Sequence, residues 1–220
     1  MITGFPTLNR IRRFHNENGS YLSLQLLSGK AAGLVRNYCL SRKLQATNLK
    51  IGPRPYLRGL SSIRIGDDFS AETGLWLEAI TRYGDQTFTP QIMIGRHVRI
   101  SQFVHIAATN CIEIGDEVLI GSRVIIIDHN HGQYRRTHSS PMSSPSNRSL
   151  DSDLQVAIGP RVWLGDGVVV APGATIGEGS VIGANSVVIG RIPPFSVAVG
   201  APATVKKRFD FSTNQWSELE

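Results

Sequence analysis

With 220 residues and a mass of 24.0 kDa, the chain has room for one domain and a small appendage. Hydrophobic residues make up 41%, too many for a disordered chain, and two cysteines, Cys39 and Cys111, are too few for a disulfide framework or a cysteine zinc site. The net charge of +6 raises nucleic acid as a partner, but residues 1–50 hold eight Lys/Arg against one acid, while residues 51–220 hold fifteen basic against sixteen acidic residues. The body of the protein is close to neutral, which argues against nucleic acid. No apolar run approaches the length of about 18 residues needed to span a bilayer, and the N-terminus lacks a basic-then-apolar leader, so a cytoplasmic, reducing location is expected.

The segment from Tyr21 to Leu44 carries Leu22, Leu26, Leu27, Ala31, Leu34, Val35, Tyr38 and Leu44 at three- and four-residue spacings. That pattern predicts an amphipathic helix or a broken pair, with Gly29 and Gly33 as weak points. Residues 1–50 therefore read as a basic, mostly helical cap, followed by a body over 51–205 and a tail over 206–220.

A six-residue period organises the body. Ile94, Ile100 and Ile106 are in phase, then Ile114, Ile120 and Ile126, then Ile158, Leu164, Val170, Ile176, Ile182 and Val188. A looser early coil runs through Ile65, Ala71 and Leu77. Six is neither a helical period nor that of a long strand. It implies a short extended segment and a corner, with three segments closing a triangular coil of 18 residues. Residues 18 apart, such as Ile158 and Ile176 or Leu164 and Ile182, should then stack in an inner column. About five coils at a spacing of about 4.8 Å give a parallel β-helix about 24 Å tall. Glycine follows the aliphatic residue at Gly95, Gly115, Gly121, Gly159, Gly165, Gly177 and Gly183, and is expected to supply corner conformations that a Cβ disfavours.

Two interruptions break the phase. The step from Ile106 to Ile114 is eight residues, a two-residue bulge or longer corner. The step from Ile126 to Ile158 is 32 residues and leaves a Ser-, Pro-, Arg- and His-rich excursion, about 128–155, predicted as a loop. Unstructured insertions of this length inside a compact domain are usually functional.

The run IGPRVWLGDGVVVAPGATIGEGSVIGANSVV from Ile158, with the later Gly-Ala-Pro-Ala, resembles the hexapeptide-repeat acyltransferases. Within them it is similar to the maltose, galactoside and xenobiotic acetyltransferase group. The segments Asp128–Gly132 and His138–Pro141 are most like those of bacterial O-antigen and capsular polysaccharide O-acetyltransferases. The resemblance spans about residues 60–208. It implies an all-β, left-handed parallel β-helix, a homotrimer with sites between neighbouring prisms, acetyl-CoA as co-substrate, a glycan acceptor of a surface polysaccharide or its precursor, and no metal.

Acetyl transfer from a thioester to a sugar hydroxyl needs that hydroxyl deprotonated as it attacks, work suited to a histidine. His129, where a coil gives way to the excursion, matches the family's catalytic histidine. No G-x-S-x-G elbow is present, so direct transfer without an acyl-enzyme is expected. Asp128 is a candidate to fix the imidazole tautomer, while His131 and His105 are candidates to orient the base or line the acceptor cleft. The resemblance carries acetyl-CoA contacts to Trp163, Asp166, Ala184 and Lys207. Lys206, Lys207 and Arg208 form a basic run suited to its phosphates. Trp163 as core filler competes with that role.

Where relatives acting on small galactosides or maltose present Asn and Asp to the acceptor, this chain has Ser101–Gln102 and Ala108. A different glycan is implied, with Arg135 and Arg136 facing acidic sugars or phosphate. The surplus of Arg10, Arg12, Arg13, Arg36, Arg42 and Lys43 suggests that the cap rests on anionic lipid. The alternatives are acetylation of a small molecule or antibiotic, a non-catalytic β-helix, and a gamma-class carbonic anhydrase. The last pairs its metal-binding histidines across four residues, whereas this chain has His-x-His.

Overall fold

The computed structural model describes residues 8–135 and 139–219. Arg136 and His138 lie outside the described residues. The repeats fold into short strands that build three walls of parallel strands. The first wall contains Lys50–Ile51, Ser70–Ala71, Arg99–Ile100, Leu119–Ile120, Trp163–Leu164, Val181–Ile182 and Ser196–Gly200. The second contains Tyr56–Arg58, Trp76–Ala79, His105–Ala108, Ile125–Ile127, Val169–Val170 and Val187–Val188. The third contains Ile63–Ile65, Gln91–Ile94, Cys111–Ile114, Gln155–Ile158, Thr175–Ile176 and Arg191–Ile192. The chain visits the walls in rotation and forms a left-handed parallel β-helix. It begins one coil before the visible repeats, at Lys50.

The aliphatic residue of each repeat points inward. Ile158 stacks on Ile176, Leu164 on Ile182 and Val170 on Val188, all buried. Each such side chain contributes about 1.5–3 kcal/mol on burial, so the column holds the coils together.

The glycines after those aliphatics serve a purpose other than the expected one. None of Gly95, Gly115, Gly159 or Gly165 has a positive φ. A Cβ on Gly115 would instead lie 2.5 Å from the Pro160 nitrogen, and one on Gly165 would lie 2.7 Å from the Ala184 nitrogen. They are required because one corner stacks directly on the next. The left-handed conformation falls two residues later, at His97 (φ 58), Glu117 (φ 60), Arg161 (φ 56) and Asn185 (φ 58).

The N-terminal helix runs from Leu8 to Leu44 and is broken at Gly19, at φ 78 and ψ 173. Gly29 and Gly33, expected to be the weak points, lie within unbroken helix. In a right-handed helix each glycine costs only about 1 kcal/mol relative to alanine, which neighbouring leucines and docking offset. The last turns meet the prism. Leu40 is buried, Leu44 packs on the core, and the Arg36 guanidinium donates to the carbonyls of Ile51 and Gly52, the latter at 2.9 Å. Leu24, Leu34 and Val35 in the preceding turns, and Tyr38 on the outer side of the docked ones, are exposed. At the other end the residues after Pro202 extend the first wall, Ala203–Asp210 pairing antiparallel on Ser196–Gly200 and Gln215–Glu218 pairing antiparallel on Ala203–Asp210.

The excursion is more ordered than the loop expected. Asn130–His131 pairs antiparallel with Leu150–Asp151 at its base. A second, unforeseen hairpin, Arg82–Tyr83 with Gln86–Thr87, projects from the same edge of the prism two coils away. The two are joined. The Leu150 amide donates to Gln86 Oε1 at 2.6 Å, Gln86 Nε2 donates to the Leu150 carbonyl at 3.2 Å, and Tyr83 Oη donates to the Ser146 carbonyl at 2.7 Å.

Candidate active site

Ile127 is the last residue of its strand in the second wall, and the next two residues keep the alternation of faces. Asp128 turns inward and is 0% exposed, while the His129 side chain is 11% exposed at the corner leading into the excursion. His129 Nδ1 lies 2.9 Å from Asp128 Oδ1. The same oxygen accepts from the Thr109 amide at 2.9 Å and Thr109 Oγ1 at 3.1 Å, and Asp128 Oδ2 accepts from the Asn110 amide at 2.8 Å. Thr109 and Asn110 belong to the eight-residue step from Ile106 to Ile114. The longer corner below is what brings two backbone donors under the carboxylate.

An ionised carboxylate only accepts hydrogen bonds, so His129 carries its proton on Nδ1 and leaves the Nε2 lone pair free. That is the arrangement of a general base oriented by an acid.

His105 stands in the neighbouring coil, opposite Ile125, with its ring centroid 4.7 Å from that of Trp76. Burial pushes its pKa below the ordinary 6.5, the Glu78 carboxylate pulls the other way, and nearby His129 adds to the lowering. It is therefore a neutral imidazole near pH 7. His131 faces elsewhere, its Nδ1 3.3 Å from Tyr83 Oη and the two rings edge-on at 5.2 Å. It ties the excursion to the second hairpin. Arg135, expected to face an acidic glycan, is paired with Asp151 at 3.2 Å.

The residues matched to acetyl-CoA lie away from this corner. Trp163 is 51% exposed on the first wall, so it is not core filler of this chain. Outward from it along the sheet come Val181, Val197 and Lys207, in one column of paired residues. Lys207 pairs with Glu218 at 3.0 Å. Strand alternation turns Arg208, opposite the buried Ser196, to the other face, and Lys206 is the extra residue where the register shifts between Val197 and Ala198, so the basic run is divided. Ala184 is exposed at the next corner. Asp166 Oδ1 accepts the Ser122 amide at 2.6 Å, bracing that corner as Asp116 does for the Arg96 amide at 2.8 Å.

Burial pushes the Cys111 thiol up, and Cys39 is exposed on the helix. Among the described residues no three His, Cys, Asp or Glu side chains converge as a metal site.

The second hairpin, Tyr83 and Gln86 were missed from sequence, although Gly84–Asp85 between Tyr83 and Gln86 is a hairpin-turn pair that marks them. Thr109 and Asn110 had a signal in the eight-residue step. Glu78 had none, because nothing in its own repeat indicates what lies one coil away.

Residues 156–190 match the family model described as bacterial transferase hexapeptide (six repeats). The chain is 42% identical over 190 residues to the "Putative lipopolysaccharide biosynthesis O-acetyl transferase WbbJ" of Escherichia coli (strain K12), an alignment covering 84% of this chain and 91% of that one. Among solved structures, a hexapeptide-repeat-containing acetyltransferase of Vibrio cholerae O1 biovar eltor, complexed with acetyl coenzyme A, superposes with a TM-score of 0.52 at 23% identity, covering 92% of this chain and 89% of that one. A mutant of AntD, an N-acyltransferase from Bacillus cereus in complex with dTDP and coenzyme A, gives a TM-score of 0.57 at 18% identity, covering 76% of this chain and 84% of that one. At these identities the two structures speak to the fold alone.

Proposed function

Since the chain belongs to the hexapeptide-repeat acetyltransferases, we propose that it moves an acetyl group from acetyl-CoA to a sugar hydroxyl of a bacterial surface polysaccharide or its precursor. The Asp128–His129 pair carries this reading, with Nδ1 held at 2.9 Å and Nε2 left to act. His129 Nε2 takes the proton of the acceptor hydroxyl as its oxygen bonds to the acetyl carbon, and passes that proton to the departing thiolate of coenzyme A. The products are the sugar ester and the free thiol. Asp128 keeps the imidazole in the required tautomer and stabilises the imidazolium. No acyl-enzyme is required, and a thiol whose pKa is raised by burial, as at Cys111, is a poor nucleophile.

The lane from Trp163 over Val181 and Val197 to Lys207 suits a long, partly apolar arm ending in phosphates. It lies on the first wall, whereas His129 sits at the corner of the second and third. In a homotrimer the lane of one copy would face the histidine of the next, which completes the site. Light scattering tests the assembly, the expected mass being that of three chains.

A reaction fed by acetyl-CoA runs in the cytoplasm, and no described helix is long and apolar enough to cross a membrane. The helix with its exposed Leu24, Leu34, Val35 and Tyr38, flanked by Lys30, Arg42 and Lys43, is suited to rest on an anionic bilayer beside a lipid-linked acceptor. Arg36 takes no part in that contact, because it is held by the prism.

His129→Ala tests the reading. Acetyl-CoA-dependent acetylation of the glycan should fall by about 10²-fold or more. Undiminished transfer would show that His129 is not the base.

A further inference from the structure

The outward surface of the second wall below His105 is built differently from the rest of the prism. The register aligns Tyr56, Trp76 and His105 in one outward column, and Arg58, Glu78 and Ala107 in the next. The rings of Tyr56 and Trp76 lie 4.7 Å apart, as do those of Trp76 and His105. Tyr56 is 44% and Trp76 43% exposed, so the stack offers an aromatic strip that no described residue covers.

Beside the strip lies Glu78, 8% exposed. Its carboxylate is fixed at both ends, Oε1 accepting from Arg58 at 3.1 Å and Oε2 from Trp76 Nε1 at 3.0 Å. A carboxylate has about four acceptor directions, so two donors leave it with capacity for more. A carboxylate this buried and this firmly held, next to exposed aromatic faces, matches the needs of a hydroxyl-rich ring. The rings take its apolar C–H face and the carboxylate takes its hydroxyl protons. The place is right for an acceptor, because Glu78, Ala107 and Ile127 share one outward register column and His129 is the next outward residue after Ile127.

We propose that Glu78 and Trp76 form the acceptor subsite and select a neutral pyranose. The sugar lies on Trp76 and donates hydroxyl hydrogen bonds to Glu78, with the reacting hydroxyl directed to His129. This rests on the reading of His129 as the base and of a sugar as the acceptor. It replaces the acceptor carboxylate absent at Ser101–Gln102 and Ala108 with one from the coil beneath. It also reverses the expected preference for acidic sugars, since Glu78 repels a uronate and Arg135 is already paired.

The test uses the full chain, acetyl-CoA and p-nitrophenyl glycosides of glucose, galactose, rhamnose and glucuronic acid, following thiol release. At least one neutral glycoside should be turned over and preferred to the glucuronide. Glu78→Gln should raise the KM of that glycoside by about tenfold or more while the KM of acetyl-CoA stays unchanged, as expected for loss of a hydrogen bond to a charged group. Trp76→Phe, which keeps a ring but removes the Nε1 donor, should raise the same KM less. Saturation-transfer NMR on His129→Asn should show the neutral glycoside bound, and the double variant with Glu78→Gln should show that binding lost. The proposal is overturned if no neutral glycoside is turned over or bound, if the glucuronide is preferred, or if Glu78→Gln leaves the glycoside KM unchanged or shifts both KM values together. If His129→Asn retains turnover, the base assignment fails. If it is inactive while Glu78→Gln behaves as wild type, only the subsite fails.

Discussion

Thr109 and Asp128 are 19 residues apart and meet across one coil, the Thr109 amide donating to Asp128 Oδ1 at 2.9 Å. With the Asn110 amide on the other oxygen, this contact fixes the carboxylate before it meets His129. Asp128→Asn keeps the shape but replaces one acceptor oxygen by a donor, which must face either the imidazole or a backbone amide. We expect kcat to fall by about 10²-fold or more, with little change in either KM. A kcat within twofold of wild type would show that Asp128 does not orient the base.

The corner glycines give a structural prediction. Gly115→Ala sets a Cβ 2.5 Å from the Pro160 nitrogen, where backbone rather than a flexible side chain must yield. Stability should fall by about 1–3 kcal/mol, as for overpacking elsewhere. Asn185→Gly, at φ 58, should be tolerated, because the conformation there already suits glycine. Urea unfolding of the two variants decides it, and equal midpoints would refute the stacking account.

His105 makes stability depend on pH. Its folded pKa lies below the ordinary 6.5, so the unfolded chain binds this proton more readily. The contribution is present above about pH 6.5 and is lost as pH falls through the lowered folded value. Thermal midpoints between about pH 7.5 and pH 5.5 should drop for wild type and drop less for His105→Gln. The same decline in both would mean that the burial of His105 is not its cause.

The projecting helix is tested by flotation with vesicles. The full chain should float with phosphatidylglycerol vesicles at low salt and be released as salt rises, since the attraction is screened. Leu34→Ser with Val35→Ser should weaken flotation without changing turnover of a soluble acceptor. Equal flotation with neutral vesicles, or none, would exclude an anionic bilayer as its partner.

Much of the prism was legible because a six-residue period constrains the chain at every turn. Ile158 over Ile176 is a local rule applied repeatedly, and the eight-residue step and the excursion were visible as violations of it. The candidate base stood out for the same reason, at the end of a strand where the phase stops. The glycines were located correctly but for the wrong reason, since what restricts Gly115 is Pro160, a residue of the next coil.

By itself, then, the sequence determined the repeating coil, its inner column and the strand end that carries His129, because these depend on spacing within a few residues. It also located the positive charge in the first fifty residues. What only the tertiary structure decided was which side chains meet across coils and between insertions. Thr109 beneath Asp128, Glu78 beside Trp76 and Gln86 on Leu150 are such contacts. Only the winding of the coils shows that Arg36 is spent on the prism end while Tyr38 faces outward. A period sets what points in and what points out. Which outward residues become neighbours depends on the length of every coil between them, and two hairpins alter that length.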